Sequence, residues 1–214
     1  FGAGHVSLIY AISWTPWLIL AESRAIEKQK YLDSLFPGII WGAIILAEVR
    51  WAFYSGLLWG GYSLYETLKM EKSSRNINGK ERTLRLLDFV EWIKRLIIKM
   101  VAGLGISAPL LVPLFEFTRL STRKSMNLDD VLTLSLPTNH LLGLGIPDFA
   151  GYFEWILYPG VILFLAFILM AVNRVTRREQ WFWMIVILFS MMMALGKNGW
   201  IASELIRILP GQSL

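Results

Sequence analysis

Leu96-Ile97-Ile98-Lys99-Met100-Val101-Ala102-Gly103-Leu104-Gly105-Ile106-Ser107-Ala108-Pro109-Leu110-Leu111-Val112-Pro113-Leu114-Phe115 runs for 20 residues with one charge, Lys99. About 20 apolar residues are what a single helix needs to cross the hydrocarbon core of a bilayer. The stretch therefore predicts a membrane span over 96–115. The rest of the 214-residue chain agrees in character: 55% of it is hydrophobic and only 17% charged, against about 25% charged in a soluble domain. Mean hydropathy is +0.51. One water-soluble core cannot hide that much apolar surface, so a disordered chain, a nucleic-acid module and an ordinary cytosolic enzyme are excluded. Membrane lipid is the expected surrounding, and no nucleic-acid partner is expected. Cysteine is absent, which removes disulfides, thiol nucleophiles and cysteine-based metal sites.

Five more apolar stretches complete an all-α, polytopic membrane bundle of about six spans. The first covers 6–21 and contains Pro16, which membrane helices tolerate when neighbours satisfy the freed carbonyl. The run 35–68 is too long for one span, and Glu48-Val49-Arg50 divides it. This predicts spans 36–47 and 51–68 joined by a tight turn. Arg82 to Arg95 carries apolar Leu84, Leu87, Val90 and Ile93 at a spacing of three, an amphipathic interfacial helix leading into 96–115. Spans 156–172 and 181–195 follow. Between them and the fourth span lies a long outer loop, 116–155, whose leucines predict a segment packed over the bundle, with a short helix at 127–134. The whole reads as one transmembrane domain, 1–214. The opening Phe1-Gly2-Ala3-Gly4-His5 has neither an initiator Met nor the pattern of a signal peptide, and suggests a piece of a longer chain.

Loop charge sets the orientation. Segments 22–34, 69–95 and 173–180 alternate onto one side and carry three, eight and three Lys/Arg. The other side holds Arg50, Arg119, Arg123, Lys124, Lys197 and Arg207. The positive-inside rule puts the first set in the cytoplasm, with 69–95 as the main cytoplasmic loop. Both ends of the chain then face outward. Trp14, Trp17, Trp41, Trp59, Trp155, Trp181 and Trp183 fall near span ends or polar breaks, as interfacial anchors do.

Few residues suggest chemistry. The two His, His5 and His140, are far apart in sequence, and no HExxH, P-loop or dinucleotide fingerprint occurs. No metal site is expected from these residues. Gly103-Leu104-Gly105 and Gly143-Leu144-Gly145 read as packing or loop glycines. Asp129-Asp130 read as helix caps. Glu48 and Arg50 have two readings: a solvated turn, or a rim site where Arg50 binds the phosphate of a lipid-linked head group.

The order of motifs adds a resemblance. Gly4-His5-Val6-Ser7, then Ser13-Trp14-Thr15-Pro16-Trp17 and Ala21-Glu22-Ser23-Arg24, resembles the GGH, WLPW and ER opening of bacterial YfhO-like multi-spanning proteins with the GT-C glycosyltransferase fold. Ala108-Pro109-Leu110-Leu111-Val112-Pro113-Leu114-Phe115-Glu116 followed by Arg119-Leu120-Ser121-Thr122-Arg123 is similar to that family's LLPxxE and RLSxR stretch. Ser135-Leu136-Pro137, Ile146-Pro147-Asp148-Phe149-Ala150-Gly151, Trp155 to Gly160, Ala194-Leu195-Gly196-Lys197-Asn198-Gly199 and Leu209-Pro210-Gly211 resemble later motifs in the same order. The likeness covers nearly the whole chain. One departure is Glu48-Val49-Arg50, where the family often has Gly-His-Pro-Gln.

The resemblance implies part of a glycosyltransferase of the bacterial cytoplasmic membrane, using a polyprenyl-phosphate-linked sugar at the outer face. A divalent metal ion would accompany such a transferase. In that fold the catalytic carboxylate belongs to the first outer loop, expected upstream of Phe1, so no catalytic residue is assigned here. His5, Glu48, Arg50, Arg119 and Lys197 are the candidate substrate-binding groups: all five fall on the outer side, at the level of a lipid phosphate. The alternative is a non-catalytic membrane subunit that packs against other membrane subunits in a larger complex.

Overall fold

In the computed structural model, the described residues are 6–28, 30–78, 85–120, 132, 135–147, 157–172 and 177–199. Every regular element among them is helical, with no strand. The all-α expectation therefore holds. The chain divides into two compact units, Phe1–Leu120 and Ser121–Leu214.

The first unit is built from α1 (Val6–Lys28), α2 (Leu35–Ala47), α3 (Val49–Asn78) and α4 (Arg85–Leu120). In α1 the buried residues are Ala11, Thr15, Leu18, Glu22 and Ala25. Their spacing of three and four places them on one face. The helix runs through Pro16 without interruption and continues past Ala21 to Lys28, so the first half of the expected 22–34 loop is helix. A turn follows, in which Ser34 N–H reaches the Lys30 and Tyr31 carbonyls.

The short helix α2 has 13 residues, or about 20 Å at 1.5 Å per residue. Pro37 sits in its first turn, where proline's missing N–H has no partner to lose. It lies at the centre of the unit, packing on α1, α3 and α4, and buries Pro37, Gly38, Trp41, Gly42, Ile44 and Ile45. Two of those are glycines four apart, and α4 comes down onto them. A Cβ at Gly38 would overlap the Lys99 carbonyl oxygen, and one at Gly42 would stand 2.9 Å from the Gly103 carbonyl oxygen. Small residues at that spacing let two membrane-type helices approach backbone to backbone.

One residue separates α2 from α3. Glu48 is extended (φ −157°, ψ 109°); its N–H closes α2 onto the Ile44 carbonyl at 2.9 Å, and its own carbonyl accepts the Ala52 N–H at 3.0 Å. The polar triplet of the sequence and the helix break coincide. α3 and α4 extend well beyond the apolar runs that announced them, to 30 and 36 residues. The amphipathic segment before Leu96 and the apolar segment after it form one continuous helix from Arg85.

Side-chain pairs fix the helix directions. Ser7, Thr15 and Glu22 of α1 meet Glu48, Trp51 and Trp59 in rising order, so α1 and α3 are parallel. Gly38 and Gly42 meet Lys99 to Ala102 and Gly103 to Ile106, so α2 and α4 are parallel. The unit is an up-down-up-down four-helix arrangement. Its core holds Ala11, Leu18, Trp41, Ile44, Ile45, Ala52 and Trp59. Trp41 and Trp59 are thus core residues, a correction to their reading as interfacial anchors. Their rings lie 5.7 Å apart, and each spends its indole N–H inside the unit, on the Ala52 carbonyl and on Glu22. Trp14, Trp17 and Trp181 are exposed.

The second unit contains a 3-10 segment, Thr138–Leu144, then α5 (Val161–Val172), α6 (Arg177–Leu195) and a 3-10 turn, Gly196–Asn198. The end of α6 is clamped by the segment before Thr138. Leu136 N–H donates to the Ala194 carbonyl at 2.9 Å, Asn198 Nδ2 to the Leu136 carbonyl at 3.0 Å, and Lys197 N–H to Ser135 Oγ at 3.1 Å. Gly196 makes this possible: its φ is +45°, and a Cβ there would overlap Ser135 Oγ. The expected helix at 127–134 falls mostly outside the described residues.

Among the described residues, two helices are long and apolar enough to cross a membrane, Phe89–Leu120 and Gln180–Asn198. Neither is a sheltered core helix, since little of either apolar window is buried. α5 is apolar throughout, and its described side chains are exposed, with Ile162 at 83% and Leu169 at 70%.

Candidate functional site

The α2–α3 break brings together two of the expected site residues. Arg50 Nε donates to Glu48 Oε1 at 3.0 Å, and Ser7 Oγ, from the first turn of α1, donates to Glu48 Oε2 at 3.1 Å. Both carboxylate oxygens are thereby engaged, and the Arg50 side chain remains 59% exposed. Burial pushes the Glu48 carboxyl up, but the hydrogen bonds from Arg50 and Ser7 and the guanidinium charge outweigh it and hold it below the ordinary carboxylate value. Glu48 therefore orients Arg50 as an anion, and part of the guanidinium fork stays open to a second anion.

Arg119 lies in the last turn of α4 with its guanidinium carbon 4.5 Å from the Phe115 ring centroid. It shares the Glu48 end of the first unit but not its level. Gly42 faces Gly103 and Ile106; six residues on, Glu48 is level with the stretch just before Pro113. Arg119 projects about 10–15 Å further, at 1.5 Å per residue. Lys197 belongs to the second unit, where its backbone N–H is held by Ser135 and its side chain is exposed. His5 lies outside the described residues. Of the five expected groups the structure joins Glu48 and Arg50, and it adds Ser7.

A second polar cluster sits inside the first unit. Lys99 Nζ donates to Glu22 Oε1 at 2.5 Å, and Trp59 Nε1 donates to Glu22 Oε2 at 2.8 Å. Glu22 is 0% exposed and the Lys99 side chain 3%. In sequence Lys99 is a lone charge within a span and Glu22 falls in the expected 22–34 loop. A signal for the pair was present: Glu22 continues the Ala11, Thr15, Leu18 face if α1 does not stop at Ala21. At the end of the unit opposite Glu48, Tyr31 Oη donates to Glu91 Oε1 at 2.6 Å while Arg95 stacks on the Tyr31 ring, 5.2 Å from its centroid. The hydrogen bond to Glu91 and that carboxylate's charge push the Tyr31 phenol up.

Among the described residues no three His, Asp or Glu side chains gather into a metal-binding group. These residues do not by themselves fit a divalent ion, and no step is assigned to one. His140 is buried in the 3-10 segment of the second unit. No protein-family model, no curated protein and no solved structure matches the chain.

Proposed function

We propose that the chain is a six-span protein of a bacterial cytoplasmic membrane and forms part of a GT-C-like glycosyltransferase that takes a polyprenyl-phosphate-linked sugar at the outer face. The observation that carries this reading is the Ser7–Glu48–Arg50 arrangement. A largely exposed guanidinium is held at a helix break by a carboxylate that is itself pinned from α1. In the proposed topology that break is at the outer interface, the level of a lipid phosphate. The order of sequence motifs and the two long, poorly sheltered apolar helices support the membrane setting.

In this reading Arg50 binds the donor phosphate and Glu48 orients the guanidinium. A charge-assisted bond of this kind contributes roughly 1.5–3 kcal/mol before desolvation. The test is binding of undecaprenyl phosphate to the purified chain in nanodiscs, by native mass spectrometry. Arg50→Ala should weaken it about tenfold, the equivalent of 1.4 kcal/mol. Equal binding by Arg50→Ala and the parent chain removes the donor site. The result would favour a non-catalytic subunit packed in a larger membrane complex. The exposed apolar side chains described on α5, such as Ile162 and Leu169, give that second reading its own support.

A further inference from the structure

α4 is fastened to its neighbours by two different chemistries. Against α2 it is held by a glycine seam: Gly38, Gly42 and Gly103 bring the two backbones into contact, with Trp41 wedged beside Gly103. To α1 and α3 it is tied by polar side chains. Lys99 reaches Glu22 on α1 at 2.5 Å, and Trp92 Nε1 donates to Ser63 Oγ on α3 at 3.1 Å. α2 packs on both α1 and α4, so the Lys99–Glu22 pair closes a ring of helices around it.

The two fastenings respond differently to disturbance. A seam of backbone contacts is apolar and close-packed, and it loosens only if the helices part. A buried ion pair is strong in geometry but weak as a net source of stability, because both charges were taken out of water to make it. Glu22 has a donor on each of its oxygens. Lys99 is less well matched. An ammonium has three N–H donors, and among the described residues Lys99 Nζ is given one acceptor, Glu22. Water, or any acceptor that reaches this depth, competes for it.

We propose that Glu22–Lys99 is a releasable latch. Closed, it holds α4 across α2 against α1 and α3. Open, it leaves α4 seated on the glycine seam of α2 and free to swing relative to α1. Trp59 keeps Glu22 in place in both states through its indole N–H, so the moving partner is Lys99. The latch stands apart from the donor site at Arg50 and holds equally if the chain is a non-catalytic subunit.

The chain has no native Cys, so pairs of spin labels can be placed at will. Labels at Trp17→Cys and Val101→Cys report the α1–α4 distance, and labels at Ile39→Cys and Leu104→Cys report α2–α4; all four positions are exposed. Double electron–electron resonance on the full chain in nanodiscs reads both. In the parent each pair gives one narrow distance. Glu22→Gln and Lys99→Met should each lose the single α1–α4 distance and keep the α2–α4 one. A narrow α1–α4 distance that survives in either variant overturns the latch. So does loss of both distances together, which would make the pair a prop for the whole unit.

Discussion

Trp41 and Gly103 meet so closely that a Cβ on Gly103 would lie 2.7 Å from the indole ring. The same missing atom would stand 2.9 Å from the Gly38 carbonyl oxygen. Gly103→Ala must therefore push α4 away from α2, and overpacking of this kind costs about 1–3 kcal/mol. Gly105, two residues on, has nothing within 4 Å of its Cβ position. There alanine should be neutral or stabilise by up to about 1 kcal/mol, through helix propensity. Thermal unfolding of both variants in detergent checks the contrast; equal effects would dissolve the seam.

Trp59→Phe keeps most of the ring volume and removes the N–H that Glu22 accepts. A buried carboxylate oxygen that loses its donor costs about 1–3 kcal/mol. Trp17→Phe, at an exposed position, should change stability by less than about 0.5 kcal/mol. Melting temperatures of the two variants, measured side by side, decide whether the N–H or merely the aromatic ring matters.

Glu48 supplies a pH signature. Its folded-state value is held below the ordinary one, so its stabilising effect is present above the unfolded value, about 4.3. That effect is lost as pH falls through the lower folded value. With Arg50 largely exposed, the effect is at most about 1 kcal/mol. Glu48→Gln should be slightly less stable than the parent at neutral pH, and the gap should close in acid. A gap that widens on acidification contradicts the assignment.

The proposed topology places Ser74 in the cytoplasm and Glu116 outside. On this Cys-free chain, a membrane-impermeant maleimide added to intact cells should label Glu116→Cys and leave Ser74→Cys untouched until the cells are opened. Labelling of Ser74→Cys from outside would invert or abolish the six-span arrangement.

Much of the helical content can be read directly from the apolar runs, and the α2–α3 break from Glu48-Val49-Arg50. Hydropathy was less informative about where helices end. α1 passes Ala21 into Glu22-Ser23-Arg24, and α3 passes Leu68 into charged residues, because charged side chains of good helix propensity carry a helix beyond its apolar part. The same blindness hid Glu22. A carboxylate after an apolar run looks solvated until its partner Lys99, three helices further along the chain, is known. Trp41 and Trp59 misled for the converse reason: an amphipathic indole suits an interface or a core with an acceptor, and only the fold supplies the acceptor. The Arg50–Glu48 pair was visible as neighbours at a turn; the third member, Ser7, depends on how α1 lies beside that turn.

In the proposed membrane setting, the shortness of α2 has a consequence for the lipid around it. Its length of about 20 Å falls well short of a hydrocarbon core about 30 Å thick. Yet it shows Phe36, Ile39 and Leu46 at its outer surface. A bilayer beside such a face would thin to match it. In the proposed setting, head groups there sink toward Glu48 and Arg50, so the membrane itself would bring a phosphate down to the guanidinium and relieve the protein of reaching up for it.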